Sequence, residues 1–471
     1  MKLARFQCAN SSVIALKLAL SLVSRVERVN WYFKVVSGGV FERAFNNKRV
    51  RTRSRALTGI SISIKELLLF KNGFIEASSM ILSGFVSAYD SEVVTRLKRA
   101  GASILYKTNM DELGIGCISN ACAHGHIINV WARTLFLLIQ EVIFAGGSSG
   151  GAANAVAIRL CTAALATDTG GSVRQPANYV GVVGLKPSYG RCSRWGVLAY
   201  ASSLDQVGVL TRNVFDLARV CSSIFGVDPK DYTSVSLPTP KYELYLGDVR
   251  AFSAKALILK QHTPCTSSAW TYCLSALARA GFELVDAQVP LVNMVIPCYT
   301  ALTSVECYSN LAKYDGIKFG LRFRENDSFL LYKKLRTVAY SPEVKRKLLT
   351  GAYVLSTRLG YERYYLKAQA LRFTIKSCLL KKLCNHDVLV SPSAPMSKLV
   401  EGYQRDFNIL SDVYTVLANL TGLPSINVPI CFGCAGAPFG VQLVASAYNE
   451  LKLITLGAEL MRACGVLSLC R

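Results

Sequence analysis

The stretch "ATDTGGSVRQPANYVG", residues 166–181, carries two adjacent glycines, a serine and only two charges, Asp168 and Arg174, in an apolar setting. A glycine pair lets the backbone turn tightly and lets its N–H groups approach a ligand closely. A serine that closes such a turn, here Ser172, is placed to act as an exposed nucleophile whose own amide helps to hold an oxyanion. Taken alone, the stretch also reads as an ordinary Gly-Gly turn. Its surroundings decide between the two.

Upstream, "GGSSGGAANAVAIRLCTAALATD" sets a glycine–serine loop (146–151) before a small-residue helix and a strand that runs into Asp168. Further upstream, "LTGISISIKELL" alternates Ile60, Ile62 and Ile64 with serines and ends at Lys65, a strand that delivers a lysine at its end. "DSEVVTRLKRAGASILYKTN" predicts a helix from Asp90, a stop at Gly101 and a strand from Ser103. Helix and strand go on alternating through "FSAKALILK", "AWTYCLSALARAGFELVDA" and "HDVLVSPSAP", with a mostly helical stretch at about 300–384 between the last two. This order predicts the α/β class: an α/β/α sandwich around a mixed central sheet. No internal repeat, low-complexity tract or Pro/Ser-rich linker divides the chain, which favours one large domain.

The 471 residues are 51% hydrophobic and 18% charged, a globular composition. Lys and Arg number 54 against 30 Asp and Glu, a formal charge of +24 that suits a polyanionic neighbour such as RNA or an acidic membrane surface. A basic loop, Lys48, Arg49, Arg51, Arg53 and Arg55, concentrates part of it. No apolar run has the length of a membrane span, and residues 12–23 read as an amphipathic first helix, with Ser12 as its cap. Sixteen cysteines show no repeated spacing, and Cys431-x-x-Cys434 stands without a second pair or a nearby histidine, so no metal site is expected. The four histidines, His124, His126, His262 and His386, are all far from Ser172 in sequence, which leaves a Ser–His triad without an obvious base.

A lysine can supply that base. Burial lowers an ammonium's pKa from about 10.4 and exposes a free amine lone pair. Ser148, 24 residues before Ser172, can relay a proton between Lys65 and the nucleophile, while Gly170, Gly171 and Ser172 aim amides at the developing oxyanion. The rival reading of "GGSSGG" as a phosphate loop lacks the Lys-Ser/Thr of a P-loop.

Together, "GISISIK", "GGSSGGAANAVA" and "ATDTGGSVRQPANYVGVVGLKPSYGR" resemble the amidase signature family. The resemblance implies a Ser–cis-Ser–Lys triad of Ser172, Ser148 and Lys65, with Thr169, Gly170, Gly171 and Ser172 as the oxyanion loop. It runs from about residue 12 to 471, with the triad core at about 58–235 and a helical substrate-binding portion at about 290–384. Within the family, "GLKPSYGRCSRWGVLAYASSLDQVGVLTRNV", "VECYSNLAKYDGIKFG", "YYLKAQALR" and "LSDVYTVLANLTGLPSINVP" resemble the A subunits of glutamyl-tRNA(Gln) amidotransferases. That branch implies glutamine as substrate, held by a tyrosine at Tyr299, an aspartate at Asp412 and an arginine. It also implies a partner B subunit, and a possible small C subunit, with ATP, Mg and most tRNA contacts on the partner. No cofactor is then expected in this chain, and no membrane. Basic composition with a bacterial-type protein suggests an organelle, plastid or mitochondrion.

Three departures stand out. The substrate arginine falls in "EVKRKLL", where either Lys347 takes its place or the adjacent Arg346 substitutes for it. Lysine is a point charge and lacks the planar two-point contact of a guanidinium. Asn120 and Ala121 stand where the family has a polar pattern near the pocket, and the apolar insert at 132–145 replaces a short polar connection. The rival readings are a stand-alone amidase and a catalytically weakened scaffold protein.

Overall fold

A computed structural model describes residue 34 and residues 55–132, 142–246, 253–259, 268–356, 360–394, 399–400, 412–432 and 437–465. The expected first helix, most of the basic loop, residues 133–141 of the apolar insert, His262 and Cys434 lie outside the described residues.

Twelve strands are described: β1 (Ser61–Lys65), β2 (Ser103–Thr108), β3 (Ile143–Phe144), β4 (Ala163–Asp168), β5 (Val183–Lys186), β6 (Gln206–Thr211), β7 (Ala254–Leu259), β8 (Phe282–Ala287), β9 (Val388–Pro392), β10 (Leu399–Val400), β11 (Ser425–Phe432) and β12 (Pro438–Ala445). Ten of them form one sheet in the order β2-β1-β4-β6-β5-β11-β12-β9-β7-β8. β1 is parallel to both β2 and β4, and β7 is parallel to β8 and β9; the pairs between these blocks are antiparallel. The sheet is mixed, as the alternating element order predicts.

Both faces of the sheet are covered, and the period of two shows how. Ala163 and Leu165 of β4 point into one core with helices α1 (Glu92–Ala100), α4 (Val214–Ile224), α5 (Ser268–Arg279) and α11 (Glu450–Ala463). Their neighbours Ala164 and Ala166 point the other way, into a small-residue core with α2 (Gly150–Ala157) and α3 (Arg174–Val180). β7 divides likewise: Ala256 and Ile258 join the first core, Leu257 and Leu259 a third. That third core is helical: α6 (Val295–Leu311), α7 (Ser328–Ala339), α8 (Pro342–Leu355), α9 (Lys367–Leu383) and α10 (Val413–Thr421) contribute to it. The result is an α/β/α sandwich.

α1 begins at Glu92 rather than Asp90. Ser91 is extended at the cap position, and the Asp90 carboxylate is taken by the Lys71 amide and the Lys98 ammonium. The helix stops where expected, with Gly101 at φ 87° closing it.

Candidate active site

β1 and β4 are parallel neighbours, so their C-terminal ends open at the same edge of the sheet. Lys65 is the last residue of β1 and Asp168 the last of β4. The glycine–serine loop runs into α2, with Gly146 and Gly147 at φ 81° and 52°. A Cβ on Gly147 would collide with the Pro176 ring, so the loop lies directly on α3. This packing brings Ser148 to Lys65: Nζ donates to Ser148 Oγ at 2.6 Å and to Ser149 Oγ at 2.8 Å, with the lysine 0% exposed. Ser149 Oγ in turn donates to the Thr167 carbonyl at 3.3 Å, tying the loop to the end of β4. The resemblance implies a cis peptide at Ser148; every described peptide bond is trans.

Burial lowers the Lys65 pKa to about 7, although Asp111, Asp168 and Asp205 oppose it. Near neutral pH a large fraction of this amine is unprotonated, which is what a general base requires.

The two charges of the opening stretch meet each other. Arg174, 0% exposed, donates from Nε to Asp168 Oδ2 at 3.0 Å and from Nη2 to Oδ1 at 2.8 Å. Its remaining donors reach the Thr415 carbonyl, Gln442 Oε1 and Asn419 Oδ1. Burial alone would raise the Asp168 pKa, but the guanidinium pulls it down to about 2. The carboxylate accepts the amides of Gly171 and Val173 at 3.0 and 3.2 Å, which folds residues 169–173 into a tight turn. In this structure the Gly171 N–H is therefore aimed at Asp168. Ser172 is half-buried on that turn.

The glycine pair is required by close approach. A Cβ on Gly170 would meet the Tyr299 hydroxyl, and one on Gly171, at φ 129°, would meet Thr415 Oγ1. Thr415 Oγ1 donates to the Gly170 carbonyl at 2.7 Å, and Thr169 Oγ1 donates to Asp205 Oδ1 at 2.7 Å.

The residues that the resemblance assigns to substrate gather at the same turn. Tyr299, on α6, lies over Gly170. Lys347, on α8, holds Nζ 5.5 Å from the Tyr299 ring centroid and 6.0 Å from that of Tyr200. Burial lowers its pKa to about 8, with Asp412 among the groups opposing. Asp412 precedes α10 and accepts Gln175 Nε2 on Oδ1 at 2.5 Å. Arg346 is exposed and its guanidinium is 4.0 Å from Glu343, so Lys347 is the one of the pair that reaches the pocket. The departures at 120–121 have local roles: the Asn120 carbonyl meets His126 Nδ1 and the Ala121 amide donates to Asp111.

Three residues escaped the reading of the sequence: Ser149, Asp111 and Asp205. Burial raises both aspartates to about 6, and both act on Lys65. The signal for Asp111 is its place just after a strand, in "KTNMDE". For metal-capable side chains, Glu66, Glu76 and His124 bring one atom each to within 4.8 Å of one another. His124 Nε2 is 3.7 and 3.5 Å from the two carboxylates, and Glu66 raises the imidazole pKa, so the group reads as an ion pair.

The chain belongs to the amidase family, whose model matches residues 19–454. It is 38% identical to the A subunit of the Sinorhizobium medicae glutamyl-tRNA(Gln) amidotransferase, over 98% of this chain and 96% of that protein. Identity to the Bartonella quintana protein of the same name is 38%, over 90% and 86%. The crystal structure of the Thermotoga maritima protein of that name superposes with a TM-score of 0.74 at 29% identity, covering 94% of this chain and 90% of that one.

Proposed function

We propose that the chain is the glutamine-hydrolysing subunit of a glutamyl-tRNA(Gln) amidotransferase, releasing ammonia that a partner subunit uses to convert Glu-tRNA(Gln) to Gln-tRNA(Gln). The observation that carries this reading is the buried 2.6 Å contact of Lys65 with Ser148, beside the turn where Tyr299, Lys347 and Asp412 converge.

In the first step Ser172 Oγ attacks the glutamine carboxamide carbon, and its proton passes through Ser148 to the Lys65 amine. The negative charge that develops on the carbonyl oxygen is held by the turn amides of Thr169, Gly170 and Ser172, since that of Gly171 is taken by Asp168. As the tetrahedral centre collapses, the carbon–nitrogen bond breaks and the relay returns the proton to the leaving nitrogen. Ammonia departs and a γ-glutamyl ester remains on Ser172. Water, deprotonated by the same relay, attacks the ester and frees glutamate. In the pocket, Lys347 pairs with the substrate α-carboxylate and Asp412 with the α-ammonium. ATP and Mg belong to the partner's activation of Glu-tRNA(Gln).

The test is co-purification with the partner, followed by amidation of Glu-tRNA(Gln) with ATP, Mg and either glutamine or ammonium. Glutamine-dependent product supports the assignment. Glutamine hydrolysis with no transfer to tRNA would make the chain a stand-alone amidase, and no hydrolysis at all a scaffold.

Two further outcomes belong to this reading. The active form of Lys65 is the neutral amine, so kcat/KM for glutamine rises with pH through about 7 and levels off above it. A flat profile between pH 6 and 8 excludes Lys65 as the base. Second, Lys347→Arg lowers KM by roughly 3- to 10-fold with kcat little changed, because a guanidinium meets both carboxylate oxygens. A KM that stays or rises shows that the fork does not fit between Tyr200 and Tyr299.

A further inference from the structure

Between β2 and the glycine–serine loop, residues 116–122 wrap round one buried carboxylate. Asp111, 0% exposed, accepts the Ser119 amide on Oδ2 and the Ala121 amide on Oδ1, each at 3.2 Å. The Cys122 thiol lies 3.7 Å from Oδ1. These bonds hold Ser119 in the left-handed region at φ 69°, a conformation that L-residues other than glycine rarely adopt. So oriented, the Ser119 hydroxyl donates to the carbonyls of Gly146 and Gly147 at 3.1 and 3.0 Å. The Gly147 amide donates to the Cys117 carbonyl at 2.8 Å, and the Asp111 amide to the Ser148 carbonyl at 3.3 Å. Each of the three residues from Gly146 to Ser148 is thereby bonded to a segment that Asp111 organises. On the side-chain side of the same Ser148 stands Lys65.

We propose that Asp111 is a positioning residue for the nucleophile: through the 116–122 loop it fixes the peptide that carries Ser148, and as a buried anion across Ser148 from Lys65 it governs how readily that lysine takes a proton. The proposal rests on Lys65 acting as the base and does not depend on which amide is cleaved.

The charges that face Lys65 are Asp111, Asp168 and Asp205, and all favour the ammonium; the Cys122 thiol beside Asp111 is kept protonated by burial. Asp168 is already neutralised by Arg174, and Asp205 is held by Thr169 and the amides of Tyr200 and Ala201. Among the described residues no arginine reaches Asp111; its partners there are the two loop amides, Cys122 and, through its charge, Lys65. Removing that anion removes a push towards the ammonium, so the Lys65 pKa falls. The acid limb of any reaction that needs the amine then moves to lower pH.

The readout is covalent labelling of Ser172 by phenylmethylsulfonyl fluoride in the full-length chain, as a function of pH. Sulfonyl transfer to Oγ expels fluoride and delivers the hydroxyl proton to the relay, so it reports nucleophile activation without glutamine. For Asp111→Asn the midpoint moves down by roughly half to one pH unit, and the plateau rate drops roughly 10- to 100-fold through misplacement of Ser148. Ser119→Ala keeps the anion, so it lowers the plateau and leaves the midpoint in place. Should Asp111→Asn not fold, Asp111→Glu replaces it and is expected to match Ser119→Ala. An unmoved or raised midpoint in Asp111→Asn, or a moved one in Asp111→Glu, overturns the electrostatic role. Wild-type plateau rates in these variants overturn the positioning role. A wild type that labels at Ser172 but leaves glutamine intact overturns the substrate assignment alone; one that does not label overturns both.

Discussion

Replacing Ser172 with alanine is expected to abolish glutamine hydrolysis, with kcat falling on the order of 10⁴- to 10⁶-fold, because a nucleophile and its base act as one unit. The side chain is half-buried on a turn fixed by Asp168, so deleting its hydroxyl leaves the packing of that turn unchanged. The variant should unfold at the wild-type urea midpoint. In the assembled enzyme, amidation fed by ammonium chloride should continue at the wild-type rate, since added ammonia enters after the missing step. Near-normal glutaminase turnover in purified Ser172→Ala protein would sink the mechanism. Loss of both glutamine- and ammonium-driven amidation would point instead to damage at the partner interface.

The largest effect on stability is expected from Arg174→Met. The guanidinium is fully buried and donates to five acceptors on three separate segments, from Asp168 to Gln442. Removing it strands the Asp168 carboxylate in the core, at a cost of about 3–5 kcal/mol. The pH dependence follows from the sign of the shift. In the wild type the Asp168 pKa is depressed, so its contribution is present above the ordinary carboxylate range and is lost as pH falls towards about 2. Without Arg174, burial is opposed only by the Lys186 charge, Asn419 and the Gly171 and Val173 amides, so that pKa rises and protonation relieves the stranded charge. The gap in urea stability between Arg174→Met and wild type should therefore be wider at pH 7.5 than at pH 5. A gap below about 1 kcal/mol at pH 7.5 would mean that the charge finds another partner.

The strands could be read from the sequence because both faces of the sheet are buried and each face takes alternate residues, as in "GISISIK" and "AKALILK". Lys65, Ser148 and Ser172 were legible for a related reason: each sits where a periodic segment gives way to a glycine-rich or polar break. The choice between Arg346 and Lys347 was also within reach. Val344, Leu348 and Gly351 are the buried stripe of α8, and Lys347 shares their helical phase while Arg346 does not. Asp111 had only its place just after a strand to mark it, and Ser149 and Asp205 could not be found this way. Their importance arises from partners that only the folded chain brings together: Lys65 and Ser149 are 84 residues apart, and Thr169 and Asp205 are 36. The partners of Arg174 lie as far as 268 residues away, so the sequence could pose the question of its charge without answering it.

Lys65, Ser148 and the turn of Ser172 are set by the ends of β1 and β4 and by the loop between them, whereas Tyr299, Lys347 and Asp412 come from helices later in the chain. On the proposed roles, bond cleavage and molecular recognition lie in different stretches of the chain. A point change at Lys347 alters what is held without moving the atoms that do the cutting, and its effects can accumulate gradually. A change at Lys65 or Asp168 has no such gradient, since each is enclosed and fully partnered. Substrate preference in a scaffold built like this can shift at Lys347 while the cutting atoms stay where β1 and β4 hold them.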